Sequence, residues 1–89
     1  MRAMKYIVCR YNNDPGENDV FRIWLFSQHQ AHQDFYAQLS KGWFAVSGGF
    51  VMLESGKLFC YGSAESMGLK CDKARDTDLL NSQLDQDYK

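Results

Sequence analysis

The stretch that decides the fold is Trp43-Phe44-Ala45-Val46-Ser47-Gly48-Gly49-Phe50-Val51-Met52-Leu53. Its two halves are apolar at consecutive positions, a pattern typical of a central β-strand that is covered on both faces. The Ser-Gly-Gly interruption between the halves indicates a β-bulge or a place where another group approaches the backbone closely. The sequence therefore predicts a sheet built around this strand.

Two predicted hairpins supply the other strands. Residues 6–9 and 20–25 are rich in β-forming side chains and are joined by the turn signal of residues 12–16, Asn-Asn-Asp-Pro-Gly, which predicts an antiparallel pair. Residues 54–57, Glu-Ser-Gly-Lys, predict a tight turn after the central strand, and residues 58–61 return as its partner.

One helix is predicted between the hairpins. Ser27 and Gln30 have the spacing of a capping box, so we expect the helix to run from residue 28 to about residue 40. Four residues of this helix share the face that must turn toward the sheet, namely His32, Phe35, Tyr36 and Leu39. The His32 imidazole is therefore expected on the inward face.

A second helix is predicted to begin between residues 69 and 76, because Leu80, Leu84 and Tyr88 recur at four-residue spacing. Before it, residues 62–68 form a loop of small residues bounded by glycines, and such a loop can turn backbone N–H groups inward to bind an anion. The expected fold class is α+β, a mixed and mostly antiparallel sheet of about four to five strands with two helices in the order β-β-α-β-β-α, as a single domain over residues 1–89.

The composition argues against several classes of function. Lys and Arg number 10 against 11 Asp and Glu, so the net charge is -1 and no nucleic-acid partner is expected. The N-terminus carries charges at Arg2 and Lys5 and only a short apolar run, so we expect neither a signal peptide nor a membrane span. The protein is therefore expected to be cytoplasmic. Cys9, Cys60 and Cys71 are widely spaced and odd in number, which disfavours a disulfide framework or a zinc ribbon.

Three arrangements of reactive side chains bear on chemistry. His29 and His32 could approach one metal ion, but no nearby motif supplies a third ligand, so one exposed and one packed histidine is expected. Cys60 has aromatic neighbours, which favour a buried structural thiol. His32 with the glycine-bounded loop is the better candidate, since phosphoryl chemistry needs a positioned base or nucleophile and donors around the phosphate oxygens. On spacing alone an inward histidine is more often a hydrogen-bonded core residue, so both interpretations stay open.

Several short motifs occur in one order along nearly the whole chain. The clearest is His-Gln-Asp-Phe-Tyr at residues 32–36, which is similar to an H-x-D-[IL]-[YF] helix motif. The others are residues 5–10, Ser-Gly-Gly at 47–49, residues 56–62 with their closing Tyr-Gly, Gly68 and residues 76–78. In these motifs the chain resembles the Janus/Ocnus family, whose members include small protein phosphohistidine phosphatases.

The resemblance implies a metal-independent phosphatase, without a cofactor, that acts on phosphohistidine or a related phosphoramidate. His32 would be the catalytic residue, as general base or phosphoryl acceptor, and Lys5 a contact to the substrate or its phosphate. Backbone N–H groups of Ala64, Glu65 and Ser66 would face the phosphate oxygens. The implied partner is a phosphorylated protein or a small phosphoramidate.

Three positions depart from the family pattern. Phe50 stands where the family has an arginine, and Arg22 is the candidate to replace that phosphate contact. Ala64 stands where the family has a serine, and Glu65 adds a negative charge beside the expected anion. These departures keep a second function open, a non-catalytic module that binds phosphate or protein, either as a monomer or as a homodimer paired through an exposed strand edge.

Overall fold

A four-stranded antiparallel sheet is the centre of the structure, a computed structural model that describes residues 4–11, 20–39 and 41–87, with side chains up to residue 83. The strands lie in the order β2-β1-β3-β4. They are β1 (Met4–Tyr11), β2 (Val20–Phe26), β3 (Trp43–Glu54) and β4 (Lys57–Tyr61). The predicted turn at residues 12–16 lies outside the described residues.

Both predicted hairpin pairings are confirmed, and β3 is a central strand. β1 pairs with β2 and β3 pairs with β4, each antiparallel. The β3–β4 turn places Ser55 at φ 53° and Gly56 at φ 77°, the two left-handed conformations that a two-residue hairpin favours. β1 lies between β2 and β3, so it is central too.

A bulge lies in β3, immediately before the Ser47–Gly49 stretch for which it was predicted. Val8 of β1 pairs with Ser47, but the next residue, Cys9, pairs with Ala45. Val46 is therefore an extra residue in β3, and the alternation of side chains between the two faces shifts by one position there.

The predicted close approach is found at the two glycines that follow. A Cβ atom on Gly49 would overlap the backbone carbonyl oxygen of Tyr61, and one on Gly48 would lie 3.0 Å from the Ala64 Cβ. Glycine at these positions lets the end of β4 and the following segment pack directly on the backbone of β3.

The first helix is shorter than predicted, and its predicted start at residue 28 is wrong. Helix α1 spans only His32–Tyr36. The Ser27 hydroxyl accepts the His29 N–H and the Ser27 carbonyl accepts the Gln30 N–H, each at 3.1 Å, so this serine closes a turn instead of capping a helix. The N–H groups of residues 38 and 39 bond to carbonyls three residues back, which tightens the chain and ends the helix before residue 40.

The second helix, α2 (Lys73–Asp87), begins within the predicted window. Asp72 caps it, because its Oδ1 accepts the Arg75 N–H at 3.3 Å. Leu80 is buried as the spacing predicted, whereas Tyr88 and the side chain of Leu84 lie outside the described part of the chain.

A buried carboxylate joins α2 to the sheet. Asp76 is fully buried, and its Oδ2 accepts the Tyr6 hydroxyl at 2.6 Å and the Asp72 N–H at 3.1 Å. Its Oδ1 accepts the Arg75 Nε–H at 3.2 Å, and the same guanidinium donates to the buried Ser47 hydroxyl at 3.0 Å. The Asp76 carboxylate thus satisfies donors from β1, from the helix N-terminus and from a side chain that reaches β3.

The two helices cover opposite faces of the sheet. Two separate apolar clusters result, and each contains side chains of one helix. On the α2 face the buried members are Tyr6, Val8, Ile23, Val51, Cys60 and Leu80. On the α1 face Ile7, Cys9 and Phe26 are buried, and the packed side chains include Phe35, Tyr36 and Leu39, so the predicted inward face of α1 is correct despite its shorter length.

Side chains of α2 also reach both edge strands. The Gln83 amide accepts the Ile23 N–H at 3.2 Å and donates to the Ile23 carbonyl at 2.9 Å on β2. On β4 the Thr77 hydroxyl accepts the Cys60 N–H at 3.0 Å. The edge-paired homodimer remains a prediction, and it would need backbone groups other than these.

The segment predicted as a plain loop contains a second, two-stranded sheet. β5 (Ser63–Ala64) pairs antiparallel with β6 (Leu69–Lys70) around a 3₁₀ turn at Glu65–Met67. Gly68 ends the turn at φ 67°, and the Gly62 carbonyl accepts the Cys71 N–H at 3.2 Å. The α+β class with an antiparallel main sheet and two helices is confirmed. No helix in the described part of the chain combines the length and apolarity needed to cross a bilayer.

Candidate active site at His32

A cavity of about 510 Å³ opens between the start of α1, the main sheet and the small sheet. It brings together residues that the sequence analysis selected separately, His32, Lys5, Glu65 and Ser66. The remaining lining residues are Ala31, Phe50, Tyr61, Gly62 and Ser63. The helix motif and the glycine-bounded loop therefore meet at one site.

His32 is the first residue of α1 and is only 4% exposed. Its Nε2 lies 2.9 Å from the Gly49 carbonyl oxygen. Because a carbonyl can only accept, Nε2 carries the proton, and Nδ1 of the neutral ring presents the free lone pair. Phe26 and Phe50 pack against the imidazole at 85° and 89°, with ring centroids 5.3 and 5.9 Å away. The ring is held in one orientation and one tautomer.

Burial lowers the pKa of His32 below its usual 6.5. The positive charge of Lys5 acts in the same direction, while the nearby backbone carbonyls of Gly49 and Tyr6 favour the protonated ring and oppose it. The imidazole is therefore neutral at neutral pH and can accept a proton.

This pKa predicts a pH-dependent stability. The unfolded chain binds the His32 proton at a higher pH than the folded chain does, so the free energy of unfolding is unaffected above pH 6.5 and falls as the pH drops from 6.5 toward the lowered value. We expect His32→Gln to lose part of the acid-induced decrease in melting temperature, whereas His29→Gln, at an exposed position, should retain it. Melting curves recorded from neutral to mildly acidic pH would check this. An equal dependence of the melting temperature on pH in the two variants would contradict this prediction.

Lys5 and the 3₁₀ turn contribute the charged groups of the cavity. The Lys5 ammonium donates to the Gln30 carbonyl at 2.9 Å, which holds it in the turn that precedes α1. Glu65 and Ser66 are exposed residues of the 3₁₀ turn and line the same cavity. An ammonium and a carboxylate therefore share one space.

Two predicted residues lie elsewhere. Ala64 is fully buried in β5 against Gly48 and is not among the residues that line the cavity. Arg22 is exposed on β2 with its guanidinium 5.9 Å from the centre of the Trp24 ring, and it does not line the cavity either. Arg22 pairs with Cys9, four residues along β1 from Lys5, which accounts for the separation.

Phe50 and Tyr61 form an aromatic wall that the sequence analysis did not assign to binding. Lys5, Phe50 and Tyr61 lie side by side on β1, β3 and β4, so their side chains project from the same face. The cross-strand register determines that these three residues are neighbours, and the sequence alone does not specify that register or the position of the bulge.

The other candidate chemistries find little support in the described residues. Burial raises the pKa of the Cys9 and Cys60 thiols to about 12, which keeps them protonated and unreactive. His29 is exposed, as expected. Among the described residues no group of three or more His, Cys, Asp or Glu side chains is arranged to hold a metal ion.

The arrangement is suited to proton transfer and to anion binding. It combines a neutral imidazole with an unprotonated Nδ1 and an ammonium around a partly enclosed space, whose other lining residues include Gly62, Ser63, Glu65 and Ser66. Comparison with known proteins found no matching family model, no matching curated protein and no matching solved structure.

Proposed function

We propose that this protein is a metal-independent phosphatase that acts on phosphohistidine or a related phosphoramidate, with His32 as general base or phosphoryl acceptor. The observation that carries the proposal is the shared cavity, which His32 lines together with Lys5 and with Gly62, Ser63, Glu65 and Ser66. The resemblance to the Janus/Ocnus family in residues 32–36 supports the same assignment.

In the proposed reaction, Nδ1 of His32 accepts a proton from a water molecule while the water oxygen bonds to phosphorus. The P–N bond breaks, its electron pair stays on the leaving nitrogen, and that nitrogen takes a proton from solvent. Inorganic phosphate and the free amine or imidazole are the products. Lys5 offsets the negative charge on the phosphoryl oxygens. As a phosphoryl acceptor, His32 would form the N–P bond itself before water hydrolyses it.

The test is phosphate release from phosphohistidine and from phosphoramidate by the wild type and by His32→Gln. Glutamine preserves a donor for the Gly49 carbonyl but cannot act as a base, so we expect the rate to fall by at least about 100-fold. His29→Gln, three residues away and exposed, is the matched control and should keep the wild-type rate.

His32→Ala, which removes the imidazole without a replacement donor, should lose the same activity. Circular dichroism of each variant separates loss of chemistry from loss of folding. Equal turnover by the wild type and by folded His32→Gln would overturn the catalytic role of His32, and no turnover by the wild type would overturn the phosphatase assignment.

Phe50 and Glu65 favour the second candidate, a non-catalytic module that binds phosphate or protein. Phe50 contributes an aromatic ring, 5.9 Å from the His32 ring, where a phosphatase of this family would contribute a guanidinium. Glu65 adds negative charge to the same cavity. Titration with inorganic phosphate, followed by amide NMR, distinguishes the two. Shifts at residues 62–68 and His32 without turnover would favour a phosphate-binding module. Shifts at other residues would indicate that a different surface binds phosphate.

A further inference from the structure

The cavity has two charged side chains of opposite sign among its lining residues. Lys5 lies on β1 and Glu65 on the 3₁₀ turn, and both line the same space. The ion pairs found in the described part of the chain join Arg75 to Asp72 and Asp76, so Lys5 and Glu65 do not neutralise each other there. A ligand with a single negative charge centre would gain from Lys5 and be repelled by Glu65.

The aromatic wall supplies a second surface for a positive charge. The Phe50 and Tyr61 rings line the cavity with centroids 5.7 Å apart and an angle of 32° between their planes. Aromatic faces attract ammonium and guanidinium groups, and a nearby carboxylate strengthens that preference. Glu65, Phe50 and Tyr61 line the same cavity and thus provide it with groups that favour a cation.

We propose that the ligand of this cavity carries two charges, an anionic phosphoryl group beside Lys5 and His32 and a cationic amine or guanidinium beside Glu65. This inference rests on the proposed function for the phosphoryl end and narrows the substrate class to phosphoramidates that bear a separate positive group. Lys5 disfavours the reversed orientation, because it would repel the cation.

A matched pair of probes tests the inference. In n-pentyl phosphoramidate the chain ends in a methyl group, and in aminobutyl phosphoramidate an ammonium replaces that methyl at the same chain length. Dissociation constants come from calorimetry, and phosphate release is measured in parallel. We expect the wild type to bind the ammonium probe about fivefold more tightly, a ratio of the size that an exposed charge pair and a cation–π contact provide.

Glu65→Gln should reduce that preference to the part that the aromatic rings provide, while Glu54→Gln, which deletes an exposed carboxylate that does not line the cavity, should keep it in full. Lys5→Met should weaken the binding of both probes to the same extent. Equal binding of the two probes by the wild type, absence of binding, or an undiminished preference for the ammonium probe in Glu65→Gln would each overturn the inference. A preference in binding without phosphate release would uphold the inference and overturn the proposed catalytic function.

Discussion

Replacement of Asp76 by alanine is expected to lower the free energy of unfolding by about 4 kcal/mol, because a fully buried carboxylate that accepts three hydrogen bonds is removed. Three donors lose their acceptor in this variant, the Tyr6 hydroxyl, the Asp72 N–H and the Arg75 Nε–H. Burial, reinforced by Asp76, raises the pKa of Tyr6 well above its usual range, so the Tyr6 hydroxyl keeps its proton and stays a donor without an acceptor.

Thermal unfolding measures this effect directly. For a chain of this size a loss of about 4 kcal/mol corresponds to a decrease of roughly 20 °C in the melting temperature. Asp78→Ala, an exposed carboxylate two residues further along α2, is the matched control and should change the melting temperature little. Tyr6→Phe leaves Asp76 with its two other donors and should cost only about 1.5 kcal/mol. A similar loss in Asp76→Ala and Asp78→Ala would show that the network does not hold α2 on the sheet.

Gly49→Ala is expected to destabilise the fold by about 3 kcal/mol and to disturb His32 at the same time. The added Cβ would overlap the Tyr61 carbonyl oxygen, which belongs to the backbone of β4 and cannot rotate away as a side chain could. The Gly49 carbonyl is also the acceptor for His32 Nε2, so a shift of β3 moves the group that orients the imidazole.

Gly56→Ala provides the comparison for Gly49→Ala. Gly56 has φ 77°, and apart from its chain neighbours no atom lies within 4 Å of the position that an alanine Cβ would take. Its substitution therefore costs only the conformational strain of a left-handed residue, about 1 kcal/mol. Urea unfolding gives both values, and the NMR shifts of the His32 ring report on the site. Equal destabilisation by the two substitutions would contradict the steric explanation at Gly49.

The strands could be predicted from the sequence because local patterns were sufficient to define them. The apolar runs of β1 and β3 and the Ser55-Gly56 turn carry their own signals. Helix α1 could not be bounded in this way, because Ser27 has two competing uses for its hydroxyl, a helix cap and a turn, and the sequence does not distinguish them. The small sheet was missed because each of its strands has only two residues.

The site was predicted in part for similar reasons. His32, Lys5, Glu65 and Ser66 line one cavity, but their convergence depends on how α1 and the 3₁₀ turn pack on the sheet. The inward direction of Ala64 could not be predicted, because it depends on the pairing of β5 with β6, which the local sequence does not show. Roles taken from the family resemblance remain predictions, which the His32→Gln experiment addresses.

The extra residue Val46 has a consequence for how this sequence can vary. Because of this residue, the side chains that face α1 are at odd-numbered positions before Val46 and at even-numbered positions after it. Deleting Val46 would make Ala45 and Ser47 consecutive residues opposite Cys9 and Val8, so the side chains of β3 would alternate regularly and Phe50 would still face α1. β3 can therefore lose one residue at this point and still keep the aromatic wall in the cavity.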